Sequence, residues 1–108
     1  MRPISKTLVN PGATTGGWMP LDINDPNQVT TISCNLVSGA VTYSVQYTNE
    51  DIFDPDITPL AVAHPTAALT SATASQTAST TTLMRAVRVN TASGTGTLRV
   101  TVVQQSTV

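Results

Sequence analysis

Four carboxylates fall within one short stretch, "NEDIFDPD" over residues 49–56: Glu50, Asp51, Asp54 and Asp56. Oxygen ligands so close in sequence can converge on a hard cation, and a pair of carboxylates flanking a glycosidic bond can act as acid and base. Both chemistries need context. The stretch lacks the ligand spacing and the turn glycine of an EF-hand, and a sugar cleft needs aromatic walls, whereas the chain has one Trp, two Tyr and one Phe. It follows a strict apolar–polar alternation, "VTYSVQYT" (41–48), and contains Asp54-Pro55, which starts turns. A strand that stops in a turn, with Ile52 and Phe53 tucked beneath it, is therefore the favoured reading; a bound cation and a catalytic pair are its alternatives.

The other reactive side chains are singletons. His64 is the one histidine, so one chain cannot form a His–His metal pair, and no G-x-S-x-G elbow offers it a serine. It stands in "AHPTA", where Pro65 keeps it extended or in a turn. Cys34 is the one cysteine, which excludes an intrachain disulfide and a cysteine-based zinc site. It falls on the inward parity of its strand, where a thiol packs as a small apolar group. No catalytic, cofactor-binding or metal-binding residue is assigned, and the chain is not expected to be an enzyme.

Residues suited to binding are more evident. "GGWMPLD" (16–22) puts Trp18 and Met19 after two glycines, as a lid on the core or as an anchor in an interface. Arg85, Arg88 and Arg99 all lie in the last quarter of the chain, with Arg88 and Arg99 on outward parities, where guanidinium forks suit carboxylates of a protein partner. Arg85 shares the parity of Val87 and Val89, so either the inward face ends before it or it is buried for a purpose.

These residues must be carried by strands. Thr, Val, Ser and Ala dominate, and the Glu and Lys that coat exposed helices are scarce. In "QVTTISCNLV" (28–37), Thr30, Ile32, Cys34 and Leu36 share one parity; in 41–48, Val41, Tyr43, Val45 and Tyr47 do. The intervening "SGA" predicts a hairpin. A second hairpin is predicted from "LMRAVRVN" (83–90) and "TGTLRVTVVQ" (95–104), with Val87 and Val89 facing Leu98, Val100 and Val102. Shorter strands are expected at 5–9, 18–22 and 59–63, with Pro20 confining the second of these to an edge. The uncharged stretch 66–82 has one large apolar residue, Leu69, and is expected to be a long flexible or contact loop.

The 108 residues allow one domain, 1–108, with one modest core. Six to eight short strands without an amphipathic helix predict an all-β fold, a small antiparallel sandwich or jelly roll. A net charge of −1 leaves no basic stripe for nucleic acid, and no apolar run is long enough to span a bilayer as a helix. "MRPISKTLVNPG" shows no secretory h-region, so the chain is expected to be cytoplasmically made and unprocessed.

As a set, "VTYSVQYTNEDIFDP" and "MRAVRVNTASGTGTLRVTVVQ" resemble head decoration, or cement, proteins of short-tailed bacteriophages, over residues 17–55 and 83–105. The resemblance implies a jelly-roll-like virion protein on the outer capsid surface, made in the bacterial cytoplasm. It implies the major capsid protein as partner, clamped across neighbouring subunits by a homo-oligomer, a dimer in preference to a trimer, and no cofactor. Trp18, Met19, Arg85, Arg88 and Arg99 are the expected contact residues. A receptor- or glycan-binding β-sandwich and a tail or neck component remain as alternatives.

Overall fold

The computed structural model describes residues 4–9, 11–21 and 28–106. Its strands are β1 (Ile4–Val9), β2 (Thr14–Thr15), β3 (Met19–Pro20), β4 (Gln28–Ser38), β5 (Val41–Thr48), β6 (Val62–Ala63), β7 (Gln76–Thr80), β8 (Ala86–Gly94) and β9 (Thr97–Ser106), with a single 3-10 turn at Ala67–Leu69 among the described residues. Sheet A has the order β1-β9-β4-β7, and sheet B the order β2-β8-β5-β6 with β3 also on β8. All pairings are antiparallel.

Neither predicted hairpin forms. β4 pairs with β9 and β7 while β5 pairs with β8 and β6, so the turns 38–41 and 94–97 each carry the chain from one sheet to the other. Residues 28–48 and 86–106 instead form one long ribbon: Gln28 lies opposite Ser106, Leu36 opposite Leu98, Val41 opposite Gly94 and Thr48 opposite Ala86. This ribbon folds over at its middle. Register shifts between Leu36 and Ser38 and between Thr42 and Tyr43 flank the fold, as bulges do where a sheet turns a corner. The N-terminal strands follow β9 and then β8 along one side, and β6 and β7 follow β5 and β4 along the other. Four stretches thus cross both sheets in the same lateral order, which is the connectivity of a jelly roll.

Two glycines permit the corner. Gly39 has φ +68, a conformation side chains disfavour, and a Cβ on Gly96 would stand 2.0 Å from the Ser38 carbonyl oxygen. The Thr95 amide donates to the Ala40 carbonyl at 3.0 Å, locking the two turns together.

The inward parities fall where alternation places them. Ile32, Cys34, Leu98, Val100 and Val102 of sheet A meet Val41, Tyr43, Val45, Val87 and Val89 of sheet B, and Met19, Leu21, Leu69 and Met84 complete the same core. Leu36 and Tyr47 pack at its margin, half-buried. Tyr43, the one fully buried aromatic among the described residues, satisfies its hydroxyl by donating to the Ala74 carbonyl at 2.6 Å. Arg85 precedes β8 and is exposed, so the inward face does end before it. Its amide donates to the Thr48 carbonyl and to Asn49 Oδ1, both at 3.0 Å.

Residues 66–82 are not a loop throughout. Ala72 bridges to Tyr43, and β7 pairs with β4 from Thr30–Thr80 to Cys34–Gln76. The expected short strands form at 4–9, 19–20 and 62–63; Asp22, at the end of the second predicted span, lies outside the described residues.

Candidate functional site

The acidic corner holds itself together. The Phe53 amide donates to Asp51 Oδ1, and the Asp56 amide to Asp54 Oδ1, each at 2.9 Å, the geometry of turns closed by an aspartate on a backbone two residues ahead. Glu50 Oε2 accepts from the Leu60 amide at 3.0 Å, tying the far limb back to the start. Glu50, Asp51 and Asp54 serve as backbone acceptors around the turn, and no group of three or more His, Cys, Asp or Glu side chains among the described residues is placed to hold a metal ion. Ile52 is half-buried, but Phe53, expected beneath the strand, is 75% exposed. The turn projects it outward instead.

His64 and Cys34 are interior groups. The His64 amide donates to the Val45 carbonyl, and Nδ1 accepts from the Thr66 amide at 3.0 Å, so the neutral ring carries its proton on Nε2. That atom is buried and has no hydrogen-bond partner among the described residues, and burial lowers the imidazole pKa below its ordinary value. Burial pushes the Cys34 thiol up to about 12, partly offset by a hydrogen bond with Tyr43; at neutral pH it is a packed thiol with no nucleophilic thiolate.

The surface is more eventful at the end of the ribbon where β5 finishes and β8 begins. Segment 49–62 leaves β5, is tied back by Glu50, and returns to pair Val62 with Tyr47. It exposes Phe53, Ile57, Leu60 and Val62, with Leu60 at 71%. Leu83, 62% exposed, approaches the same end through the bonds of Arg85 to Thr48 and Asn49. Sequence reasoning missed this apolar rim, because isolated Leu, Ile and Phe between turn residues show no period that could assign them a face.

A second feature lies on the outer face of sheet B. The Arg88 guanidinium stacks over Trp18, 4.6 Å from the ring centroid. Its Nε donates to Gln46 Oε1 at 3.0 Å, and Asn90 Nδ2 donates to the same oxygen at 2.7 Å. Gly16 enables this approach: its amide donates to the Val89 carbonyl at 3.1 Å, and a Cβ there would stand 2.3 Å from that oxygen.

The expected contact residues are thus dispersed. Trp18 and Arg88 come together, Met19 is buried in the core, Arg85 stands ahead of β8, and Arg99 is exposed on sheet A opposite Thr7 and Asn35. Gln46 and Asn90, which complete the Trp18–Arg88 group, went unnoticed in sequence although Gln46 was on an outward parity. No helix among the described residues is long and apolar enough to cross a membrane.

Comparison with protein-family models, with curated proteins and with solved structures finds no match to this chain.

Proposed function

We propose that this protein is a structural component of a bacteriophage virion, a decoration protein that binds the outer capsid surface and clamps neighbouring copies of the major capsid protein. The observation that carries the reading is the concentration of exposed apolar side chains on one segment, 49–62, which carries Phe53, Ile57, Leu60 and Val62, against single exposed residues such as Val9, Val37 and Leu83 elsewhere in the chain. Exposed apolar side chains repeated along one surface segment mark an interaction surface. The residues that could do chemistry are engaged elsewhere, with the aspartates closing turns and His64 and Cys34 packed inside. The sequence resemblance over 17–55 and 83–105 supplies the partner.

A contact made by so small a surface covers roughly 400–800 Å², at or below the ordinary range for a stable pair. A homo-oligomer, dimer or trimer, that spans several coat subunits gains on the order of 10²–10⁴ in avidity, and only an assembled lattice offers the repeated spacing. The protein is therefore expected on the virion surface after synthesis in the host cytoplasm. The test is co-sedimentation with matured capsids, with unassembled coat protein as control. Strong pelleting with capsids alone, lost in the double variant Phe53→Asp and Leu60→Asp, is the expected result. Equal binding to both forms, or binding only to bacterial surface glycan, overturns it in favour of a receptor-binding module.

A further inference from the structure

The geometry points to a carboxylate-recognition site on the outer face of sheet B, built by Trp18, Arg88 and Gln46 and positioned by Asn90, whose ligand is an aspartate or glutamate side chain of a partner protein. It rests on the proposed function only for the identity of that partner, the coat protein.

The argument begins with which polar atoms are spent. Gln46 Oε1 accepts from both Arg88 Nε and Asn90 Nδ2, and Asn90 Oδ1, without a hydrogen-bond partner among the described residues, is buried out of a ligand's reach. Both side-chain carbonyls are thereby withdrawn. What the cluster has left is donors: the terminal amino groups of Arg88 and the amide NH₂ of Gln46, which make no hydrogen bond among the described residues. Among the described residues Arg88 makes no ion pair with a carboxylate either.

Orientation is fixed as well as charge. Stacking on Trp18 holds the guanidinium plane, and the bond from Nε to Gln46 sets its rotation within that plane, so the fork is organised before anything binds. Planar, bidentate donors matched to two oxygens are what a carboxylate takes. A neutral sugar is a poorer fit, because its hydroxyls need acceptors as well as donors and the two carbonyls of the cluster are occupied or buried. Row geometry supports one site: Gln46 lies directly opposite Arg88 across the β5–β8 pair.

Trp18 is the one tryptophan of the chain, so its emission reports the site without labelling. The full-length protein is titrated with an oligoglutamate peptide, with oligoglutamine and polygalacturonate in parallel, and the same proteins are tested for capsid sedimentation. A saturable change in emission with oligoglutamate, weakened by added salt, is expected. Affinity should fall roughly ten- to hundredfold in Arg88→Gln. It should vanish in Gln46→Glu, where the new carboxylate occupies Arg88 from within, and circular dichroism should match the parent for both variants. No saturable response to oligoglutamate, an undiminished response in both variants, or a response to polygalacturonate alone overturns the proposal. Capsid sedimentation that survives Arg88→Gln overturns the coat protein as source of the carboxylate while leaving decoration intact. Oligoglutamate binding by a protein that does not sediment with capsids removes the decoration reading and leaves the carboxylate site standing.

Discussion

The outer faces of the two sheets are made by the same folded ribbon and yet differ in what they leave available. On sheet A a row of hydroxyls runs across four strands, Ser5, Thr101, Ser33 and Thr77, and these bond in pairs, Ser5 to Thr101 and Ser33 to Thr77, each at 3.2 Å. Thr31 and Ser79 do likewise at 2.7 Å. A hydroxyl both donates and accepts, so neighbours of one kind satisfy one another and present a small, neutral stretch, beside which Arg99 stands exposed on the next outward row. On sheet B the equivalent row is Arg88 and Gln46 with Trp18 stacked alongside, unlike groups whose mutual bonds exhaust the acceptors and leave donors over. Self-matching rows make a quiet face, and mismatched rows make a receptive one.

That contrast can be attacked from several sides. The largest effect is expected from Gly96→Ala, since a methyl group forced against the Ser38 carbonyl pries open the corner that both faces share. A loss of about 3–5 kcal/mol, seen as a large fall in the chemical-denaturation midpoint, is predicted, and a stability within about 1 kcal/mol of the parent would mean the two turns do not nest. Trp18→Ala comes next, at about 1–2 kcal/mol for the stacked, half-buried ring, with the capsid or oligoglutamate affinity falling alongside it. If stability drops and affinity does not, the stack is structural only.

His64 gives a pH signature common to both sheets. Its folded pKa lies below the unfolded value of about 6.5, so above that pH both states are neutral and the fold is fully stable with respect to this group. As pH falls below about 6.5 the unfolded chain takes up a proton that the buried ring refuses, and stability declines until the folded pKa is reached. The melting temperature should fall over that window, and His64→Gln should remove this part of the slope. Smaller still, Ser33→Ala and Thr101→Ala on the quiet face should each cost about 0.5 kcal/mol or less and leave capsid sedimentation untouched; a loss of binding there would erase the distinction between the faces. The least effect is expected from Asp54→Asn with Asp56→Asn, because an amide oxygen at position 54 still accepts from the backbone. The melting temperature should be unchanged with or without calcium.

How much of this was legible depended on whether the information was local. Alternation showed which side chains of 28–37, 41–48 and 95–104 face inward, because parity is a property of a strand by itself. It could not show which strand lies opposite. "SGA" and "TASG" read as hairpin turns, but a corner between sheets uses the same glycines, and only contacts 59 to 78 positions apart, such as Leu36 with Leu98, reveal the difference. β7 escaped notice because "QTAST" has no large apolar residue: it is an edge strand held by backbone pairing and by hydroxyls of β4. At the candidate site, Trp18 and Arg88 were each singled out by type, while their stacking depends on Gly16 crossing close over Val89, which no local pattern announces.

The folded ribbon also bears on how the chain is made. β4 and β5 find their principal partners in β9 and β8, which follow every other described strand in the chain. Until residues 86–106 have emerged, the inner edge of each future sheet stands unpaired, and β1, β2 and β3 have nothing to lie against, since they pair only with that same late segment. Closure of the two sheets is therefore withheld until residues 86–106 are available. Once the last segment is free, closing 49–85 brings Thr48 to Ala86, and the ribbon can zip from there through the corner to Gln28 and Ser106. A nascent chain that stalls before residue 86 has only the β4–β7 and β5–β6 pairings within reach, so limited proteolysis of arrested chains should show the N-terminal strands gaining protection only when 86–106 are present.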